Sequence, residues 1–344
     1  MPPSDPARAL RSPGSTVVIG LVLTAALATL AFVLPNWLLF LSTLATAHGI
    51  VILGLVYLMR GGVVSFGQGM VFASGGYAAA LLSNQTGLSD VFVLVLAGGL
   101  AAALIAAPFA PLLSRYRAIF FAMLTLALSM VLYGILVKTA ALGGSDGFNV
   151  ARPTVLGHRL EGDGATAMLF VVAVVVAGLL AIAARIHFDS VRGLVALAIR
   201  ENELRIEYLG ASVRRQLAVD FVIAAFHGGI GGALAVLALG HVEPNFSYWT
   251  TSGEFVFAAI LAGYHGVIAV FVASFLLELV RSYSNLYFPN SWQLAMGLFL
   301  LVIIRFLPQG LGSIGRRRHL RRQDSVPPRV PARALAEPED GKDR

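Results

Sequence analysis

From Thr16 to Phe306 the sequence is a succession of apolar runs, each about 20 residues long, the length that crosses a hydrocarbon core roughly 30 Å thick. Such a chain has few choices, because a backbone without water must satisfy its own N–H and C=O groups and therefore spans as helices. The runs are Thr16–Leu34, Trp37–Met59, Gly61–Leu82, Val91–Leu113, Ala118–Val137, Ala165–Ala184, Leu217–Leu239 and Leu286–Phe306, with an interrupted stretch over Gly253–Val280. The expectation is an all-α polytopic membrane protein with about eight full transmembrane helices plus one broken or re-entrant helix pair.

Composition agrees: the 344 residues are 57% hydrophobic and 12% charged, against roughly 45–50% and 25% in soluble domains. The net charge of +7 would suggest nucleic acid in a soluble chain. Here most basic residues stand at span ends and in the tail, where they set orientation and meet anionic lipid. Membrane lipid is therefore the expected contact, and no nucleic acid is. With no cysteine, disulfides, thiolate metal sites and cysteine nucleophiles are excluded. The first run follows Arg8 and Arg11 as a signal peptide would, but it is long for one, and Val33-Leu34-Pro35-Asn36-Trp37 is no small-residue cleavage site. It reads as an uncleaved span. The divisions are a cytoplasmic arm over 1–15, a membrane domain over 16–308, and a basic disordered cytoplasmic tail over 309–344 that carries Arg316, Arg317, Arg318, Arg321 and Arg322.

One internal stretch breaks the apolar rhythm. Arg185 to Gln216 is polar and charged yet helical in pattern, with Leu194, Leu197, Ala198, Glu201, Leu204, Ile206 and Leu209 near a period of 3.6 and Gly210 as its stop. A charged amphipathic helix between spans is suited to docking a cytoplasmic partner. The stretch Gly61–Leu82 is unusual in the opposite way, with glycine at 61, 62, 67, 69, 75 and 76 among Ser65, Gln68 and Ser74. Such residues make either a tight helix seam or backbone that lines a pathway.

Two polar loops follow the same logic. Ala141–Gly164, with Gly143, Gly144, Asp146 and Gly147, reads either as a plain reversal of the chain or as a contact for a ligand or partner. Gly240–Ser252 holds His241, Glu243, Pro244 and the interfacial Trp249. In Leu217–Leu239, Asp220 reads as an interfacial ion pair with the Arg214-Arg215 end, and His227 as a satisfied histidine beside glycines that pack backbone on backbone. Parity gives the break at Ala262–Gly266 its meaning. If the basic ends are cytoplasmic, parity is met when Gly253–Ala262 enters partway, breaks at Gly263–Gly266 near mid-membrane and returns outward to Val280; an external amino terminus, or a break in Gly61–Leu82 instead, restores it as well.

Several stretches together resemble the permeases of ABC importers for branched-chain amino acids, of the LivM-type subunit. They are GGVVSFGQGMVFASGGYAAALL, YRAIFFAMLTLALSMVLYGIL, GGSDGF, ALAIRENELRIEYLGASVRRQLAVDFVIAAFHGGIGGALA, LAGYHGVIAVFVASFLLELV and IIRFLPQGL, in order from Leu34 to Leu311. The resemblance implies an ABC-importer permease fold, a second LivH-like permease subunit, two cytoplasmic ABC ATPases that bind the ATP, and an extracytoplasmic substrate-binding protein. It implies no cofactor on this chain. Ala198, Ile199, Arg200, Glu201, Asn202, Glu203, Leu209 and Gly210 would form the ATPase-coupling helix. Ser65, Gly67, Gln68, Gly75, Gly76, Gly263 and Gly266 would line or shape the pathway, and Ser145 and Asp146 would face the binding protein.

The chain departs from that pattern at His48 and at Tyr264-His265. Urea and short-amide permeases share much of it, so the substrate stays open between amino acids and amides. The chain has no GxxxxGK[ST] motif, and no paired carboxylates or histidine cluster within one predicted membrane face, so catalysis is not expected in it. Two rivals remain: a proton-coupled transporter using Asp220, His227 or Glu278, and a lipid-acting enzyme using His241 and Glu243.

Overall fold

The structure is a computed structural model that describes residues 13–159, 163–264, 266–287, 292–306 and 310–313. His265, most of the arm 1–15 and nearly all of the tail 309–344 lie outside the described residues. The helices in order are α1 (Pro13–Thr29), α2 (Asn36–Arg60), α3 (Gln68–Thr86), α4 (Val91–Ala106), α5 (Ala110–Leu113), α6 (Ala118–Lys138), α7 (Asp163–Asp189), α8 (Val191–Glu201), α9 (Glu203–Tyr208), α10 (Val213–Leu239), α11 (Trp249–Ala262), α12 (Val267–Tyr287) and α13 (Trp292–Phe306). Their ends obey local chemistry. Asp90 accepts from the Phe92 and Val93 N–H groups to start α4, and Gly87 and Gly240 end α3 and α10 in the left-handed conformation.

Among the described residues six helices are long and apolar enough to cross a membrane, rather than eight: α1 with its last 3₁₀ turn, α2, α6, α7, α10 and α12. The difference has local causes. α3 is diluted by glycine and polar residues, and its stretch 61–67 is not helical. Val91–Leu113, expected as one span, breaks after Ala106 and resumes as α5. The last helix begins at Trp292, not Leu286, because α12 runs on to Tyr287 instead of stopping at Val280. The chain is also not purely helical. β1 (Phe148–Asn149) pairs antiparallel with β4 (His241–Val242), and β2 (Thr154–Val155) with β3 (His158–Arg159), because extended loop backbone needs partners for its own polar groups.

α2 and α10 form the axis, with 83% and 72% of their apolar windows buried, whereas α1 has 6% and packs against α7 at the rim. The element order repeats: α1, α2, α3, α4 and α6 are matched by α7, α10, α11, α12 and α13. Packing repeats with it, α3 on α4 as α11 on α12, and α4 on α10 as α12 on α2. Five segments per half invert the second half relative to the first, the arrangement of many transporters.

Close packing of the axis comes from glycine. A Cβ on Gly98 of α4 would lie 2.8 Å from the Gly75 carbonyl oxygen of α3 and 2.7 Å from the Ala233 Cβ of α10. The three helices touch through their backbones, as small residues allow where hydrophobic force between helices is absent.

Candidate functional site

Two non-helical stretches reach the middle of the bundle from opposite ends. After α2 ends at Arg60, residues 61–67 run up beside α6 until the Phe66 N–H donates to Thr125 Oγ1 (3.0 Å) and the Gly67 N–H to Ser65 Oγ (3.1 Å). After β4, the 3₁₀ turn Pro244–Ser247 descends beside the same helix, where Ser129 and Ser247 each donate a hydroxyl to the other's carbonyl at 2.8 Å. α3 and α11 begin there, and the Gly69 N–H donates to Ser252 Oγ at 2.9 Å. Irregular backbone at membrane depth persists only where protein or a water-filled cavity satisfies it, and here α6 and α11 side chains do so.

Within this centre Ser65 and Gln68 are buried, and Gln68 Oε1 has no hydrogen-bond partner among the described residues. Gly67 packs on Thr125. Gly75 and Gly76 face the α10 backbone at Gly229 and Gly232, so the helix seam is the task their geometry gives them. Gly263 and Gly266 lie elsewhere. The Tyr264 carbonyl accepts from Arg60 Nη1 (3.3 Å), and its ring lies 3.7 Å below the Arg200 guanidinium. The break therefore sits level with the end of α2 and not at mid-membrane. α11, with 14 residues and a length of about 21 Å, reaches that end, and the irregular half of its crossing is the stretch before it. Gly263 adopts φ 72°, ψ 167°, which only glycine takes up without strain.

The charged stretch is two helices, not the single one expected over Leu194–Leu209. Asn202 is extended (φ −161°) and caps α9 by accepting from the Arg205 N–H at 3.0 Å. The face that packs inward is Gly193, Ala196 and Ile199 with Ile206 of α9, offset from the predicted one. Arg200 donates to the Met59 carbonyl (3.2 Å), and Glu203 accepts from Arg117 Nε (2.7 Å). Those two, with half-buried Ala198 and buried Ile199, hold the platform to the bundle. Glu201, Leu209 and Gly210 point away from it, joined by Val191, Leu204 and Tyr208, which stand 77%, 66% and 89% exposed.

At the other end Ser145 and Asp146 occupy an exposed loop tip, Ser145 Oγ donating to Asp146 Oδ1 at 3.0 Å. His241 is engaged with the same loop, its ring nitrogens 3.0 Å from Asn149 Oδ1 and 3.1 Å from the Asp146 carbonyl. Glu243 accepts from Asn245 instead (3.2 Å). This divided use removes the geometry a His241–Glu243 catalytic pair would need.

Asp220 does not pair with Arg214 or Arg215, which are exposed. It is buried, accepts from Gln216 Nε2 at 3.0 and 3.1 Å, and lies 3.9 Å from His187 Nε2. His227 donates through Nδ1 to the Ile223 carbonyl at 2.8 Å, while its buried Nε2 has no partner among the described residues, so the histidine is half satisfied. Sequence reasoning missed two further pairs, His48–Glu278 and Glu254–Arg281, at 3.0 and 3.5 Å. The oddness of His48 and the ionisable Glu278 were the signals; with the apolar run ending at Val280 rather than at Tyr287, where α12 ends, Glu278 reads as lying close to a span end.

A helical bundle with inverted halves, irregular backbone at mid-depth and a charged platform at one end has the build of a multi-pass membrane permease. The sequence pattern described as "Branched-chain amino acid transport system / permease component" matches residues 37–306, and the chain belongs to that family. It is similar to the "High-affinity branched-chain amino acid transport system permease protein LivM" of Escherichia coli (strain K12), 30% identical over 327 residues covering 87% of this chain and 76% of the relative. The protein of the same name from Salmonella typhimurium is 29% identical over 325 residues, with the same coverage. No solved structure gives a significant match. The chain is thus a permease component that works with other subunits of a transport system.

Proposed function

We propose that the chain is one of two permease subunits of an ATP-driven importer for branched-chain or related amino acids in a bacterial inner membrane. Two cytoplasmic ABC ATPases bind and hydrolyse the ATP, a LivH-like permease completes the pathway, and an extracytoplasmic binding protein delivers substrate to the end that carries Ser145 and Asp146. The observation that carries this reading is the family match over most of the chain. The platform adds to it: Leu204, Tyr208 and Leu209 are exposed beside Glu201 at the end where Arg60, Arg115 and Arg117 collect, and apolar exposure on a charged rim suits a protein partner. In this reading ATPase closure pulls α8 and α9, and because Arg200 and Glu203 fasten them to α2 and α6, the pull reaches the mid-depth junction and rocks the halves. Ser65, Gly67 and Gln68 stand at that junction, while Gly263 and Gly266 flank the pulled end.

The test is ATP-dependent uptake of labelled leucine, isoleucine, valine and urea into vesicles that contain the assembled transporter, wild type against Glu201→Arg. The expected result is leucine uptake that the charge reversal abolishes with the subunit still inserted. Uptake of urea alone would move the substrate to the amides. Uptake that ignores ATP or the reversal sinks the coupling assignment and favours the gradient-driven rival.

A further inference from the structure

Four ionisable side chains from three helices meet beside a small cavity between α2, α11, α12 and α13. His48 is the midpoint of α2, which runs from Asn36 to Arg60, and its Nδ1 lies 3.0 Å from Glu278 Oε2 of α12. One turn further along α12, Arg281 Nη1 lies 3.5 Å from Glu254 Oε2 of α11. Ionisable groups at such depth mark substrate or ion pathways, because their desolvation is tolerated only where they meet partners or water. The two pairs differ. His48 and Glu278 are closed in, at 17% and 13% side-chain exposure, and stitch α12 to α2. The Arg281 side chain is 41% exposed and Glu254 20%, and their separation is longer than the roughly 2.7–2.9 Å of a tight charged hydrogen bond. They form an open pair on the wall of a cavity of about 40 Å³.

The rest of that wall is mostly apolar, from Ile52, Phe255, Ala258, Leu277 and Met296, with Thr251 and Ser274 as its remaining polar members, their hydroxyls donating to the Asn245 and Ala45 carbonyls. An acid and a base side by side, facing an aliphatic wall, match a molecule that carries an ammonium and a carboxylate on one carbon and a branched hydrocarbon beyond. We propose that this cavity is where the permease holds the zwitterionic head of an aliphatic α-amino acid, Glu254 taking the ammonium and Arg281 the carboxylate. The proposal rests on the reading of the chain as an amino-acid permease and sharpens it, since neutral urea offers neither charge. The cavity as it stands holds about three waters at roughly 10–15 Å³ each, less than leucine needs. Leucine enters when α11 and α12 part and the Glu254–Arg281 contact is exchanged for contacts to the ligand, so that no charge is left buried and unpaired. His48 and Glu278 act as positioning residues that keep α12 on α2 during that exchange.

The chain has no cysteine, so a thiol placed at the cavity edge is the only one in this subunit, and modification is read on this subunit after the transporter is taken apart. In vesicles holding the whole transporter, the Thr251→Cys variant is modified with a small cationic thiol reagent. Leucine, isoamylamine (leucine without its carboxylate), 4-methylpentanoate (leucine without its ammonium) or urea is present, and leucine uptake is measured in parallel. Leucine is expected to slow modification at least threefold and the other three not at all. Adding Arg281→Gln or Glu254→Gln should remove the protection, read as the ratio of the rates without and with leucine in each variant because either change alters the charge that a cationic reagent meets, and the exchange Glu254→Arg with Arg281→Glu should restore part of it. Uptake of leucine without protection, a thiol that never reacts, protection that survives both single variants, or protection by urea overturns the site and leaves the permease reading standing. Failure of wild-type vesicles to take up any amino acid overturns the permease reading and this site with it.

Discussion

Alanine at Gly98 and alanine at Gly134 should have opposite effects, although both glycines stand inside apolar helices. On propensity alone each replacement favours the helix by up to about 1 kcal/mol. At Gly98 a Cβ would meet the Ala233 Cβ at 2.7 Å and the Gly75 carbonyl oxygen at 2.8 Å, and carbon atoms rest at about 3.5–4.0 Å. α4 must retreat from α3 and α10 by about 1 Å, against a methyl group and two backbone carbonyl oxygens that cannot rotate away. Overpacking of this kind costs about 1–3 kcal/mol, which offsets the propensity gain and leaves a net loss of up to about 2 kcal/mol, since the contacts to Ala233 and Gly75 are well inside contact distance. At Gly134 of α6 nothing lies within 4 Å of the added carbon, so only the propensity term remains. The assay is the temperature at which purified protein in one detergent leaves the monodisperse fraction. Gly98→Ala should lower it by a few degrees, at about 2–4 °C per kcal/mol, and Gly134→Ala should leave it unchanged or raise it. Equal shifts for the two variants would falsify the backbone-seam account of α3, α4 and α10.

Three other outcomes follow from particular contacts. Asn202→Ala removes the cap on the Arg205 N–H, worth about 0.5–2 kcal/mol; hydrogen exchange over 203–208 should quicken while α8 keeps its protection, and unchanged exchange in α9 would refute the cap. Arg117→Ala breaks a half-exposed pair with Glu203, so global stability should fall by no more than about 1 kcal/mol. Proteolysis between α9 and α10 should nevertheless rise, and an unaltered cleavage rate would show that the pair does not tether the platform. Ser129→Ala leaves the buried Ser247 carbonyl without its hydroxyl donor, at a cost of about 1–3 kcal/mol. Ala at both 129 and 247 should cost less than the sum of the two single variants, because the hydroxyls serve each other, and strict additivity would argue against the reciprocal pair.

The overall design was legible because the bilayer leaves so little freedom: apolar runs of span length, basic residues at their ends and one charged interlude identify a polytopic membrane protein from residue type alone, and the motif resemblance adds the permease. The same reasoning located the break at Gly263 and the platform over Arg185–Gln216. It placed the break at the wrong depth, because periodicity says where a helix stops and nothing about which neighbour receives its last carbonyl. That neighbour is Arg60, 204 residues away. It also drew α8 and α9 as one helix, because Asn202 weakens a helix only slightly by propensity and becomes a boundary when its side chain caps the next turn.

What tertiary structure alone decided is the use of each polar residue inside the apolar runs. The sequence shows His48, Glu254, Glu278 and Arg281 as isolated interruptions on three helices, and Asp220 as the natural partner of two nearby arginines. Packing joins the first four around one cavity and turns Asp220 toward Gln216 and His187. The physical reason is range. Burial in lipid is set by the composition of each run and can be read locally, whereas pairing of charges depends on which helix faces meet, and inversion of the two halves brings together residues up to 230 positions apart.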